Sequence, residues 1–95
     1  MAKSIMVTEK GKCFLCGKSC QTEKHHVFGG GCRKQSEKYG LWVYLCHRCH
    51  NEPPDGVHFN QEKNLSLKAQ VQIRAMHVYR WTVEQFRRLF RKSYI

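Results

Sequence analysis

An α+β fold, small and held by a staple, is what this sequence predicts, and three observations predict it. Two Cys-x-x-Cys pairs, Cys13-Phe-Leu-Cys16 and Cys46-His-Arg-Cys49, bracket residues 17 to 45. Between the pairs, "HHVF" and "LWVYLC" carry the β-branched and aromatic residues that favour strands. Beyond residue 60 apolar residues recur at helical spacing. The 95 residues bound one small domain (1–95) whose core needs reinforcement. Its expected parts are an N-terminal tail or short leading strand at 1–10, a stapled core at 11–60, and a helical part at 61–95.

Charge narrows the partners. There are 17 Lys and Arg against 7 Asp and Glu, a formal net charge of +10. Such an excess suits a polyanion, and nucleic acid is the expected one. A generic basic surface is the plainer alternative.

The cysteines come first along the chain. "MAKSIMVTEKGK" has no apolar run of signal-peptide length, and nothing reads as a transmembrane segment. A reducing, intracellular setting is therefore expected, and paired cysteines there read as metal ligands rather than disulfides. A two-residue spacer turns both sulfurs of a pair toward one point. Cys13, Cys16, Cys46 and Cys49 are the candidate ligands of one structural Zn²⁺. Cys20, four residues past Cys16, is a possible competitor. Otherwise Cys20 and Cys32 read as small buried residues or reactive thiols.

The stretch between the pairs follows. "HHVF" suits a short strand, "GGG" a turn or loop, and residues 41 to 46 a second strand. A one-turn helix can start at "CHRCHN", but Pro53 and Pro54 cannot continue it.

Taken in order, "CFLC", "HHVFGG" and "LCHRCHN" resemble the HNH endonucleases of the ββα-metal type, in particular the small ones encoded by bacteriophages. The likeness covers residues 13 to 51. It implies two antiparallel strands and a helix around one divalent cation, a zinc-stapled ββα-metal (HNH) domain, and cleavage of DNA phosphodiesters. By position, His26 matches the general base, and His25 and His50 match ligands of the catalytic metal. That metal is left open among Mg²⁺, Mn²⁺, Ni²⁺ and Zn²⁺. Alternate side chains of a strand face opposite ways, so a bulged strand is expected to bring His25 and His26 into one site. The implied partner is DNA, double-stranded and with little sequence preference. Arg33, Lys34 and Arg48 are candidate phosphate contacts. No membrane association is expected, a monomer is favoured, and the implied setting is the cytoplasm of a bacterial host.

Two features depart from the family pattern. The middle asparagine has no counterpart in "KYGLW", so its loop-pinning role falls to Ser36, Glu37 or backbone groups. A third metal ligand one turn past His50 would be Pro54, which cannot serve. His58, in "GVHFN", is the candidate that returns to the site, with His47 and Asn51 as weaker ones. A different class of reading also fits the basic surface and the cysteines: a non-catalytic zinc module that binds nucleic acid. The two separate on His26, for which a binding module has no use.

The helical part reads more simply. Asn60 caps a helix expected to run to Tyr79. Leu65, Ala69, Ile73 and Met76 are expected to face the strands. His77 reads as a surface histidine. Thr82 and Gln85 form a capping box opening a second helix. Its apolar face is Val83, Phe86, Leu89 and Phe90, and its other side carries Arg87, Arg88, Arg91 and Lys92.

Overall fold

The β-branched and aromatic runs do become strands in the computed structural model, which describes residues 3 to 95. Strand β1 is Thr22–His26 and β2 is Trp42–Cys46. They pair antiparallel from Thr22↔Cys46 to His26↔Trp42. The chain is thus a small α+β domain with a two-stranded antiparallel sheet and helices. Val27 and Phe28, expected in the first strand, lie just beyond it and are buried.

Between the strands the expected loop is instead a 3₁₀ turn, Gly30–Cys32, running into helix α1, Arg33–Tyr39. "RKQSEKY" has no apolar stripe to betray a helix, but Arg, Lys, Gln and Glu are good helix formers. Ser36 gives α1 its one buried anchor. Its hydroxyl accepts from the Phe28 N–H at 3.1 Å and donates to the Phe28 carbonyl at 2.9 Å. Leu41 N–H then donates to the Ser36 carbonyl at 2.8 Å. Ser36 therefore ties the connection between β1 and β2 to the end of β1 through its side chain and to Leu41 through its backbone.

The segment 4–8 is tied to the sheet by hydrogen bonds. It lies along the outer edge of β2, where backbone groups would otherwise lack partners. Ile5 N–H donates to the Gly40 carbonyl at 2.9 Å, and Tyr44 N–H donates to Thr8 Oγ1 at 3.0 Å. Ser4 Oγ donates to the Trp42 carbonyl.

After β2, helix α2 (His47–Asn51) stops before the prolines. The next segment folds straight back on it. Gly56 N–H donates to Glu52 O at 2.7 Å, Val57 N–H to Cys49 O at 2.8 Å, and His58 N–H to His50 O at 3.3 Å. Gly56 is required here: a Cβ would stand 2.7 Å from the Glu52 nitrogen and 2.9 Å from the His50 oxygen.

Helix α3 (Gln61–Tyr79) starts at Asn60, whose side chain accepts from Lys63 N–H at 3.0 Å. Its buried face is only in part the expected one: Met76 packs against the core. Leu67, Val71, Gln72 and Ala75 are buried, while Leu65 is 40% and Ile73 57% exposed. The helix carries two apolar stripes, nearly half a turn apart at about 100° per residue, and local spacing alone does not rank them. The stripe of Leu67, Val71 and Ala75 belongs to one core with Leu41, Val43, Leu45 and Phe86.

Helix α4 (Val83–Phe90) opens with the full capping box of Thr82 and Gln85. Phe86 and Phe90 are buried and stack at 4.7 Å between ring centroids. Phe28 meets Phe86 at 5.4 Å and Phe90 at 5.0 Å, so the loop after β1 rests on α4. Beyond α4 the chain is clamped by buried Gln72. Its carbonyl accepts from Tyr94 N–H at 2.6 Å, and its amide donates to Ser93 Oγ at 2.9 Å. No helix among the described residues is long and apolar enough to cross a membrane.

Candidate metal centres

The first centre is built by the two knuckles. Cys13 N–H donates to Lys18 O and Gly17 N–H to Cys13 O, both at 2.9 Å, which closes the first knuckle as a tight turn. Phe14 N–H donates to Tyr44 O at 2.8 Å and ties that turn to β2. The second knuckle spans the end of β2 and the start of α2. The sulfurs of Cys13, Cys16, Cys46 and Cys49 all lie within 4.8 Å of one another. Cys16 Sγ and Cys46 Sγ are 3.8 Å apart. Four sulfurs about 2.3 Å from a tetrahedral zinc are separated by about 3.8 Å.

Electrostatics agrees with a cation at this point. Burial acts upward on the Cys13 thiol, but the backbone N–H groups of Cys16, Cys46 and Leu15 outweigh it and bring its pKa to about 6. Burial, with the neighbouring sulfurs of Cys46 and Cys13, pushes the Cys49 thiol far up instead. Four thiolates so close repel one another, and only a bound cation lets all four lose their protons. The cluster is compatible with a structural zinc site. Cys20 and Cys32 lie outside it: Cys20 Sγ is 3.5 Å from Lys18 O, and Cys32 Sγ is 3.7 Å from Phe90 O.

The second centre gathers His25, His50 and His58, with one ring nitrogen of each within 4.8 Å of the others. His25 is on β1, His50 on α2, and His58 on the segment that Gly56 folds back. Nε2 of His50 and Nε2 of His58 are 3.0 Å apart. His25 Nε2 is buried with no hydrogen-bond partner. Burial first, then the charges His50 and His58 would carry, drives the His25 pKa to about 3. Burial, then His50, also lowers His58. An orphaned buried nitrogen facing two more imidazoles is what a divalent metal site offers before the ion is bound. The donor set fits such an ion.

Glu23 completes this centre, and sequence reading missed it. Its Oε1 accepts from His50 Nδ1 at 2.7 Å and its Oε2 from His47 Nδ1 at 3.0 Å. Those two hydrogen bonds, His50 first, hold the Glu23 carboxyl below the usual range. With Nδ1 carrying the proton, His50 presents a bare Nε2 toward His58 and His25. The signal was available: Glu23 is two residues before His25, so both leave β1 on the same face. His47 touches Glu23 only, Asn51 is exposed beside His50, and His77 is exposed on α3. None of the three joins the cluster.

His26 stands apart from the three clustered histidines. The expected bulge is missing: β1 keeps regular register with β2 through His26, so His25 and His26 leave on opposite faces. Both nevertheless line one open cleft of about 280 Å³, with Lys24, Gly29, Gly30, Arg33, His50 and His58. β1 is an edge strand, and a cleft along its free edge meets both faces. His26 Nε2 donates to Glu37 Oε1 at 3.3 Å, and Lys24 Nζ donates to the same oxygen at 2.8 Å. Those contacts, Lys24 first, hold the Glu37 carboxyl low. Lys24 also sits over the Trp42 ring, 4.1 Å from its centroid. In a neutral His26 ring whose Nε2 donates to Glu37, the lone pair is on Nδ1.

The candidate phosphate contacts separate. Arg33 lines the cleft; Lys34 is exposed on α1. Arg48 lies in a different cleft of about 530 Å³ beside Cys16 and the start of α3, 3.4 Å from Asp55. No family model, no curated protein and no solved structure matches this chain.

Proposed function

We propose that this chain is a metal-dependent DNA endonuclease of the HNH type, with His26 as general base and a divalent cation held by His25, His50 and His58. One observation carries the reading: three imidazoles converge on one point, and a fourth lines the same cleft without joining them. The motif order "CFLC", "HHVFGG", "LCHRCHN" supports it from the sequence side. A cation held by these histidines would supply Lewis acidity toward an oxygen of the phosphodiester.

The chain's own groups do the rest. His26 takes the proton of the attacking water at Nδ1, while Glu37 keeps the other nitrogen protonated and the ring in place. Glu23 does the corresponding work for His50. Ser36 pins the loop after β1, the role for which the family uses an asparagine. Arg33 and the net positive charge draw in the phosphate backbone without reading bases.

The test is incubation of supercoiled plasmid with zinc-loaded protein across Mg²⁺, Mn²⁺, Ni²⁺ and added Zn²⁺. Metal-dependent nicking that His26→Ala abolishes supports the proposal. Plasmid binding without nicking under every metal would instead identify a zinc-stapled nucleic-acid-binding module.

A further inference from the structure

On sequence, Arg91 and Lys92 extend the basic side of the last helix. In the fold that helix ends first. α4 stops at Phe90, and Arg91 takes a left-handed conformation (φ 71°) in the C-cap position where glycine or asparagine is usual. The buried Gln72 side chain then clamps Ser93 and Tyr94, so the terminal turn has a fixed course.

That course lays the Arg91 guanidinium on Gly31. A Cβ on Gly31 would stand 2.8 Å from Nη2 and 2.9 Å from Nη1 of Arg91, so a side chain at residue 31 would displace the guanidinium. Gly31 adjoins Gly30, which lines the histidine cleft together with Arg33. Arg91 forms no ion pair among the described residues. Lys68 and Lys92 lie over the ring of Tyr94, three residues past Arg91, 5.1 and 5.4 Å from its centroid. The Tyr94 ring itself packs against Phe28 at 5.5 Å. Burial first, then the Lys92 charge, lowers the Lys68 pKa.

The exposed Arg91 guanidinium thus stands against the turn whose Gly30 lines the cleft, with its charge available to an anion. We propose that Arg91, seated on Gly31, binds a backbone phosphate of nucleic acid next to the one held in the cleft. The planar fork suits a phosphate in bidentate fashion, and the Gly31 seat aims it. This contact rests on reading the cleft as a nucleic-acid site, but not on that site being catalytic.

The experiment is salt-dependent binding of a fluorescent random-sequence duplex by the zinc-loaded chain carrying His26→Ala, so that the probe stays intact. Each phosphate contact contributes about 0.9 to the slope of log affinity against log salt. Arg91→Ala should weaken binding and reduce that slope by about 0.9. Arg91→Lys should keep the slope. Gly31→Ala, which keeps the charge but displaces the guanidinium, should weaken binding too. Lys10→Ala removes an exposed charge outside the cleft and should leave the slope unchanged. An unchanged slope in Arg91→Ala would overturn the contact, as would equal losses in Arg91→Ala and Lys10→Ala. Normal binding by Gly31→Ala would overturn the seat. Failure of the nuclease reading shows separately, as no plasmid nicking by the chain with His26 intact.

Discussion

His50 and His58 face each other Nε2 to Nε2 at 3.0 Å, although a proline-containing turn separates them in the chain. Two imidazole nitrogens so close share one proton or one cation. His58→Ala should therefore lower affinity for the exchangeable cation, and nicking should fall with it. Gly56→Ala should do the same without touching a ligand, because its Cβ would collide with the backbone of His50 and Glu52 and open the turn. Titration calorimetry of the zinc-loaded protein with Mn²⁺ or Ni²⁺ reads both. Parental affinity in both variants would remove His58 from the site.

The adjacent histidines should fail differently. His26→Ala removes the proposed base and should cut the nicking rate by about 10²- to 10⁴-fold, leaving cation affinity intact. His25→Ala removes a nitrogen of the cluster, so affinity and rate should fall together and excess metal should restore part of the rate. Nicking measured at several metal concentrations distinguishes them. Loss of the cation in His26→Ala with retention in His25→Ala would exchange their roles.

Glu23 fixes the His50 tautomer from outside the cluster. Glu23→Gln keeps the shape but takes away the carboxylate that accepts from His50 and His47. Cation affinity should drop about 10- to 100-fold, the usual worth of such a partner. The melting temperature of the zinc-loaded protein should barely change, since Glu23 is partly exposed. A large stability loss with unchanged cation affinity would make Glu23 a structural residue instead.

Removal of the knuckle metal should unfold the chain. Zinc on four cysteines contributes about 10–16 kcal/mol at neutral pH, and a domain of this size is stable by only about 5–15 kcal/mol. Metal analysis should find one tightly held zinc per chain. Prolonged chelation should abolish the near-UV circular dichroism. Retention of that spectrum and of the melting temperature in stripped protein would rule the assignment out.

Ser36→Ala should be costly for so small a change. The hydroxyl is buried and serves both the N–H and the carbonyl of Phe28. Leaving those groups unpaired should destabilise the protein by about 1–3 kcal/mol per group in urea melts. Nicking should fall as well, because Phe28 connects the histidine strand to the Gly29–Cys32 turn. Ser36→Ala indistinguishable from the parent in both measurements would deny it the pinning role.

Local chemistry was legible in the sequence. The cysteine spacers, the run Trp42–Cys46, the Asn60 cap and the Thr82–Gln85 box each act within a few residues, and each appears at the expected place. His25 and His50 were candidates through the resemblance of "HHVFGG" and "LCHRCHN" to the HNH pattern, and the fold brings the two together. Helix α1 was not legible, since it anchors through one serine rather than an apolar stripe. The face of α3 was not either: Leu65, Ala69 and Ile73 repeat as regularly as Leu67, Val71 and Ala75, and only the core shared with Leu41 and Leu45 selects between them. The histidine cluster depends on the same kind of choice. His58 reaches His50 through the backbone fold-back at Gly56, Glu23 reaches His50 from the neighbouring strand, and Arg91 reaches Gly31 through the Gln72 clamp. Short-range propensity decides which elements form, and these longer contacts exist only after packing has set the elements against one another, which is why tertiary structure alone assembled the site.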